Sequence, residues 1–439
     1  MRLLSGLTTS TLLLLASTAH AFCGFYVASG DAKLFNHASQ VALVRDDDKT
    51  VITMASDLKG APSTFALVVP VPTVLKRGQI HVAEHGVLEH LDQFSAPRLV
   101  EYTDPDPCMA AREELSGVMK ARRDMPAAAA LDRLEDKKNS VTIEARYTVG
   151  EYDILILSAT QSQGLAAWLR EHGYQVPPGA ARVLDIYLKQ GMKFFVAKVN
   201  LGEHQRLGYT YLRPLQIAYE SPKFMLPVRL GMANADGPQE LFVYAITRQG
   251  RVEPANYRSV RLPSDAEVPE FVQGDFAHFY RDLFTHQTAK NGMGVVFTEY
   301  AWDMTWCDPC AAQPLSNDEL RELGVFWADG NGPAQVFLTR LHARYDRASF
   351  PEDLVLQTTA DRTNFQGRFV VRHEWKGAME CPGARAYRSQ LKNRRALQAR
   401  TLEDLTGWSA NSIRERMAVG PDFTLPGERS AWWDGLWTR

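Results

Sequence analysis

Two hydrophobic periods alternate along the chain. Residues 40–55, Q-V-A-L-V-R-D-D-D-K-T-V-I-T-M-A, set two β-branched runs on either side of an Asp-rich turn. That pattern predicts a hairpin, because β-branched side chains suit a pleated surface and Asp tolerates turn geometry. Residues 65–69 are a short apolar run, read as a buried strand that Pro70 and Pro72 end, since proline cannot donate to a ladder. Residues 82–94 carry helical spacing, and residues 141–158 return to strand patterning with I-L-I-L at 154–157. Leu165, Trp168, Leu169 and His172 then recur at helical spacing, with Gly173 as a stop. Residues 180–190 repeat the device, with Leu184 and Leu188 on one face and Gly191 after it, and residues 192–201 read as a strand.

Between 209 and 300 the chain is mostly strand-like, through L-Q-I-A-Y, M-L-P-V-R-L, E-L-F-V-Y-A-I-T and G-V-V-F-T-E-Y-A-W, with one helix at 276–285. A helix over 317–323 is announced by the capping box Ser316 and Glu319. Strand-like runs follow near 325, 336, 354 and 368, and residues 385–417 are helical and basic. The order predicts an α+β fold (mixed α/β), with strand-rich domains, interleaved short helices and a helical C-terminal segment. Residues 110–139 break the pattern: they are rich in Ala and charge, and Pro126 interrupts them. The expected division is a signal peptide at 1–21, an N-terminal α+β domain at 22–109, and a charged insertion or linker at 110–139. A central strand-rich domain at 140–300 and a C-terminal Cys/Trp region at 301–439 complete it.

The N-terminus changes the picture of where the chain works. Arg2 precedes a short apolar run at 12–16, and Ala19-His20-Ala21 supplies the A-x-A pattern of a cleavage site. The expectation is export to the periplasm or beyond, with a mature chain starting at Phe22. No later segment has enough consecutive apolar residues to span a bilayer. The 439 residues are 45% hydrophobic with formal net charge −2, which argues against a general nucleic-acid binder.

Five cysteines in an oxidising compartment leave an odd thiol. The expected pairs are Cys23 with Cys108 and Cys307 with Cys310, leaving Cys381, with a bond from Cys381 to Cys307 or Cys310 as the alternative. T-W-C-D-P-C at 305–310 also matches the W-C-x-P-C of thioredoxin-like redox sites, with Pro351 downstream where such enzymes place a cis-proline. Asp308 disfavours a thiolate, and the helix signal begins only at Ser316, so the structural disulfide is favoured. A zinc site would need ligands such as Cys381 and His373, and no metal or other cofactor is expected.

Other chemistry is thinner. H-V-A-E-H at 81–85 matches a zinc-protease pattern but reads as a loop or strand with Gly86 next, hence a chance match. Arg340, His342 and Arg344 share one face of a strand, near Arg368 and Arg372 if those strands pair, and are read as a solvated basic face. Arg385, Arg388, Lys392, Arg394, Arg395 and Arg400 make a basic helix, read as surface. Eight of the nine tryptophans lie beyond residue 300, as a core or as a sugar-stacking surface.

C-G-F-Y-V at 23–27, F-A-L-V-V-P-V-P at 65–72, S-A-P-R-L-V-E-Y at 95–102 and A-W-L-R-E-H-G-Y at 167–174 together resemble the domain of unknown function 2330 family. L-R-P-L-Q-I-A-Y-E-S-P at 212–222 and F-P-E-D-L at 350–354 fit the same pattern. The resemblance implies an exported bacterial protein with no established activity and brings no catalytic residues. The resulting expectation is a soluble envelope protein with a non-enzymatic binding or scaffolding role, its partner an envelope protein or glycan. The alternatives are a thiol–disulfide oxidoreductase using Cys307 and Cys310, and glycan binding through the C-terminal tryptophans.

Overall fold

In the computed structural model, the residues described are 25–28, 35–59, 65–108, 141–172, 176, 179–208, 212–233, 237–306, 312–330 and 332–418. Elements are numbered along the chain. The Asp-rich turn predicted from the sequence closes a hairpin between β2 (Phe35–Asp46) and β3 (Lys49–Lys59). Asp47 takes a left-handed φ of 52° there, which a short polar side chain tolerates. Strand β2 runs parallel to β12 (Gln239–Thr247), which pairs with β17 (Phe337–Tyr345) and then β16 (Val295–Asp303). β14 (Arg258–Arg261) lies beyond β16, and β10 (Leu215–Glu220) and β5 (Ile80–Val82) lie beyond β3. β19 (Phe365–Gln366) joins β16 from the side. This nine-stranded sheet therefore draws on the segments 22–109, 140–300 and 301–439 alike.

A second sheet runs β1 (Phe25–Ala28), β4 (Phe65–Val71), β9 (Lys193–Val199), β8 (Tyr152–Ala159), β7 (Val141–Val149). Alternation gives each sheet one apolar inner face. Val41, Leu43, Leu241, Val243 and Leu341 of the large sheet share one core with Leu67, Val69, Ile154, Ile156 and Phe195 of the small one. The two sheets thus pack as a sandwich, as sheets with one apolar face each must. A short sheet of β11 (Met225–Leu226), β18 (Leu354–Thr358) and β13 (Val252–Pro254) contributes Leu226, Leu354 and Val252 to the same core.

Helices cover both outer faces. On the small sheet, α2 (Ser162–Glu171) and α3 (Ala180–Lys189) bury Leu165, Leu169, Leu184 and Tyr187 against Val68, Leu157 and Phe194. On the large sheet, α1 (His85–Ser95) lays Val87, Leu88, Leu91 and Phe94 on Ala42, Val44 and Tyr244. Further along that face, α5 (Phe276–Asn291) packs Phe279, Leu283 and Phe284 on Phe297. The helix α7 (Gly383–Thr406) and the short α8 (Ala410–Arg416) back α5, together with a parallel sheet of β15 (Ala266–Val268), β20 (Arg368–His373) and β6 (Arg98–Thr103). α4 (Leu201–Leu207) and α6 (Asn317–Glu322) complete the described helices. The architecture is mixed α and β with a helical C-terminal segment, as the patterning predicts. Among the described residues no helix is long and apolar enough to cross a membrane.

Several expectations need correction. Pro70 does not end β4, which continues to Val71 and pairs Pro70 with Phe194 of β9. The β1 partners stop at Val68, so the missing N–H falls where β4 has a described neighbour on one side only. The apolar run near 325 is a buried turn after α6, not a strand. The basic C-terminal helix is two helices, broken at Gly407, whose φ is 70° and whose missing Cβ leaves room for His286 at 2.6 Å. The capping box holds: Ser316 accepts from Glu319 N, and Glu319 accepts from Ser316 N.

The expected Cys23–Cys108 pair is also overturned. Cys108 is bonded to Cys381, their Cα atoms 5.7 Å apart. Parallel β6 and β20 end together at the pair Thr103 and His373, so both chains leave the sheet at the same edge and meet a few residues on. Sequence spacing could not show this across 273 residues. Cys23, Cys307 and Cys310 lie outside the described residues. Because the bond closes so long a loop, replacing both Cys108 and Cys381 by Ser is expected to lower unfolding free energy by about 2–5 kcal/mol. Urea denaturation of the protein measures it, and an unchanged midpoint would contradict the assignment.

Candidate functional site

Strand alternation puts Arg340, His342 and Arg344 of β17 on one face, as expected, but that face is not solvated. Arg340 and His342 are 3% and 1% exposed, because α1 and α5 lie over them. Nor are Arg368 and Arg372 near by sheet pairing: they belong to β20, which pairs with β6 and β15. Arg368 is held by Asp265, and Arg372 lies 3.6 Å from Glu267.

What makes the buried cations tolerable is Glu299. In β16 the register shifts between Thr298 and Tyr300, so Glu299 is the extra residue of a β-bulge. Its carboxylate lies between two cations of β17. Arg340 Nε donates to Oε2 at 2.7 Å, and His342 Nδ1 stands 2.8 Å from Oε1. The Tyr280 hydroxyl, from α5, donates to the same oxygen. Arg340 also reaches α1, donating to Asp92 Oδ1 at 2.7 Å, and Tyr244 donates to that oxygen at 2.6 Å. On the other side His342 Nε2 lies 3.6 Å from Glu240 Oε2, and Arg344 Nε donates to Glu240 at 3.0 Å. The result is a run of alternating charge: Asp92, Arg340, Glu299, His342, Glu240, Arg344. His342 is stacked between Phe284 at 3.5 Å and Phe242 at 4.0 Å.

The electrostatics follow from that order. Burial pushes Glu299 up, but His342, Arg340 and the Tyr280 hydroxyl outweigh it and hold its pKa at about 2. Glu240 is likewise raised by burial yet brought to about 2 by His342 and Arg344. Burial lowers His342, and Glu299 and Glu240 more than reverse this, so its pKa is raised. Arg340 is raised too, its burial offset by Tyr244, Glu299 and Asp92. Tyr244 and Tyr280 are pushed well above the usual phenol range, first by burial. The groups that resemble an acid–base set are therefore committed to each other beneath two helices, and they tie α1 and α5 to the sheet.

A second feature lies on the opposite outer face, where α2 leaves one end of the small sheet open. It is a groove of about 450 Å³ lined by Arg146 and Thr148 of β7, Asp153 and Leu155 of β8, Val196 and Lys198 of β9, Trp168 of α2 and His172, which caps that helix. Here too a bulge sets the aim. The β7 register shifts between Ile143 and Ala145, after which Arg146 pairs with Leu155 on the helix-covered side. Trp168 and His172, four residues apart on one helical face, stack at 3.8 Å, and His172 Nδ1 is held by the Trp168 carbonyl at 2.8 Å. Asp153 accepts from Thr148 Oγ1 at 3.0 Å and Asn200 Nδ2 at 3.2 Å. Among the described residues neither Arg146 nor Lys198 has an ion-pair partner.

A family model described as an uncharacterized protein conserved in bacteria (DUF2330) matches residues 17–357. The chain belongs to that family. No curated protein and no solved structure matches it. Both the charge chain and the groove fall inside the DUF2330 span, whereas α7 and α8 follow it. The resembling segments have identifiable places: A-W-L-R-E-H-G-Y carries Trp168 and His172, and F-P-E-D-L carries Asp353. The latter accepts from the Tyr187 hydroxyl of α3 at 2.6 Å.

The other sequence candidates are dispersed. His81 lies on β5 and His85 opens α1, so they do not share a helix face. Cys381 is in the disulfide and His373 is bound by Glu101 at 2.7 Å and Glu270 at 2.9 Å, which removes both from the zinc set weighed above. Arg394 and Arg395 of the basic helix are paired with Asp104 and Glu374. Trp302, Trp327 and Trp408 join the hydrophobic clusters, and Trp306 is 50% exposed. Trp432, Trp433 and Trp437 lie outside the described residues. Sequence reasoning missed Glu299, Asp92, Tyr280 and Glu240. One signal was legible: an acidic residue inside the mostly apolar run 295–302, with two basic positions alternating on a second strand.

Glu299→Gln leaves Arg340 and His342 buried without their shared counter-charge. The expected cost is about 3–5 kcal/mol in urea denaturation, and a loss near zero would contradict the network. The pH dependence has a definite sign. With its folded pKa raised above 6.5, His342 contributes stability fully below that value and loses it as pH rises through the folded pKa. Glu299 and Glu240, depressed from 4.5 to about 2, contribute fully above 4.5 and lose it as pH falls through about 2. The urea-midpoint gap between wild type and His342→Gln is therefore expected to narrow above about pH 6.5. A gap that widens on raising the pH would be the contrary result.

Proposed function

We propose that the protein is an exported envelope protein of bacteria that binds a small anionic ligand in the groove beside α2 and does not turn it over. The observation that carries this is the pairing of two cations without ion partners, Arg146 and Lys198, with an aromatic wall in one concavity. A cation that serves only solubility needs no such company, whereas a ligand site combines apolar walls with a few convergent charges. Glu299 and His342, the pair most like an acid–base set, are committed to a chain of charges on the face opposite the groove and supply no catalytic group to it. Export is inferred from the A-x-A pattern at 19–21.

Two measurements test the reading. Fractionation of the native host is expected to find the protein outside the cytoplasm with Phe22 at its N-terminus. Thermal-shift screening against small carboxylates and phosphates is expected to yield an anion that stabilises the wild type by about 2.7 kcal/mol at one hundred times its Kd. The same anion is expected to leave an Arg146→Ala/Lys198→Ala variant unshifted. A stabilising anion equally effective on that variant would place binding elsewhere.

A further inference from the structure

We propose that the groove takes an acidic saccharide, with the sugar ring against the Trp168–His172 stack and the carboxylate on Arg146 or Lys198. This rests on reading the groove as the ligand site. The size fits first. Arg146 and Lys198 stand two strands and two residues apart, so their Cα atoms are ~12 Å from each other by ordinary strand spacing and rise. That separation accommodates one or two pyranose rings, with either long side chain able to reach inward.

The chemistry then narrows the class. Inorganic phosphate would use the two cations but gains nothing from Leu155, Val196 and Trp168. A flat aromatic carboxylate would use the cations and the apolar wall but not Asp153. Each Asp153 oxygen already accepts one fixed donor and keeps a second lone pair, so the carboxylate is oriented to accept from a hydroxyl. The Thr148 hydroxyl stands beside it. His172 adds a further polar group, because its Nδ1 is occupied by the Trp168 carbonyl and Nε2 remains for an outside partner. Cations, an apolar wall and an acceptor for hydroxyls together describe a sugar acid.

The test uses the full mature chain and four probes: glucuronate, glucose, benzoate and inorganic phosphate. Indole N–H signals are followed by NMR, with Trp168→Phe assigning the groove tryptophan. The expected result is that glucuronate shifts the Trp168 signal and binds about tenfold tighter than glucose, the effect of one charge-assisted hydrogen bond. Arg146→Ala/Lys198→Ala is expected to abolish that preference. Asp153→Asn is expected to weaken glucuronate while leaving benzoate unchanged. Both variants change partly or fully exposed groups, and an unchanged melting temperature verifies their folding. Benzoate, phosphate or glucose binding at Trp168 as tightly as glucuronate would overturn the saccharide class and leave the groove standing. No perturbation of Trp168 by any probe would overturn the groove itself.

Discussion

A carboxylate buried away from water must be paired or give up its charge. Glu299, with no exposed side-chain surface, keeps its charge because Arg340 and His342 flank it, and this pairing organises the outer layer of the large sheet. Arg340 then needs a second anion, which α1 supplies as Asp92, and His342 needs another, which β12 supplies as Glu240. Tyr280 brings α5 to the same carboxylate. Each charge is acceptable only if the next is in place, so α1 and α5 are tied to the sheet by position as well as by apolar packing. The hydrophobic interior between the two sheets needs no such order; there volume and alternation suffice.

Two bulges turn a regular sandwich into one with special faces. Without the extra residue in β16, unbroken alternation would put Phe297 and Tyr300, three residues apart, on opposite faces; the bulge lets both meet the outer face with Glu299 between them. Without the shift in β7, Arg146 would turn toward the inner core instead of the groove. A one-residue slip is a small local change with a large effect, because side chains alternate with period two. The charge chain consolidates the fold, and the groove, on the other side of the sandwich, stays open.

Much of the architecture was legible because it depends on local pattern. The hairpin at 40–55, the helices α2 and α3, the Gly191 stop after α3 and the capping box at Ser316 were all readable, while Gly173 lies outside the described residues. The misses have physical causes. Pro70 lies beyond the last residue of β4 paired with β1, where the strand has a described neighbour on one side only, which the sequence does not reveal. Arg340 and His342 read as a wet face because burial of charge depends on partners from three other elements, Asp92, Glu240 and Glu299, far apart in sequence. Cys381 found Cys108 because two parallel strands end together. Trp168 was visible as a helix position, but its neighbours in the groove come from β7, β8 and β9, which only the sheet brings together. The T-W-C-D-P-C loop, the most suggestive stretch of the sequence, has Thr305 and Trp306 as its described residues, both exposed.

The central claim is that one carboxylate ties two helices to the sheet, and native-state hydrogen exchange of wild type against Glu299→Gln tests it most directly. The account predicts that amides of α1 and α5 lose protection together in the variant, while β8 and β9 of the small sheet keep theirs. Loss confined to β16, or spread evenly over both sheets, would contradict it.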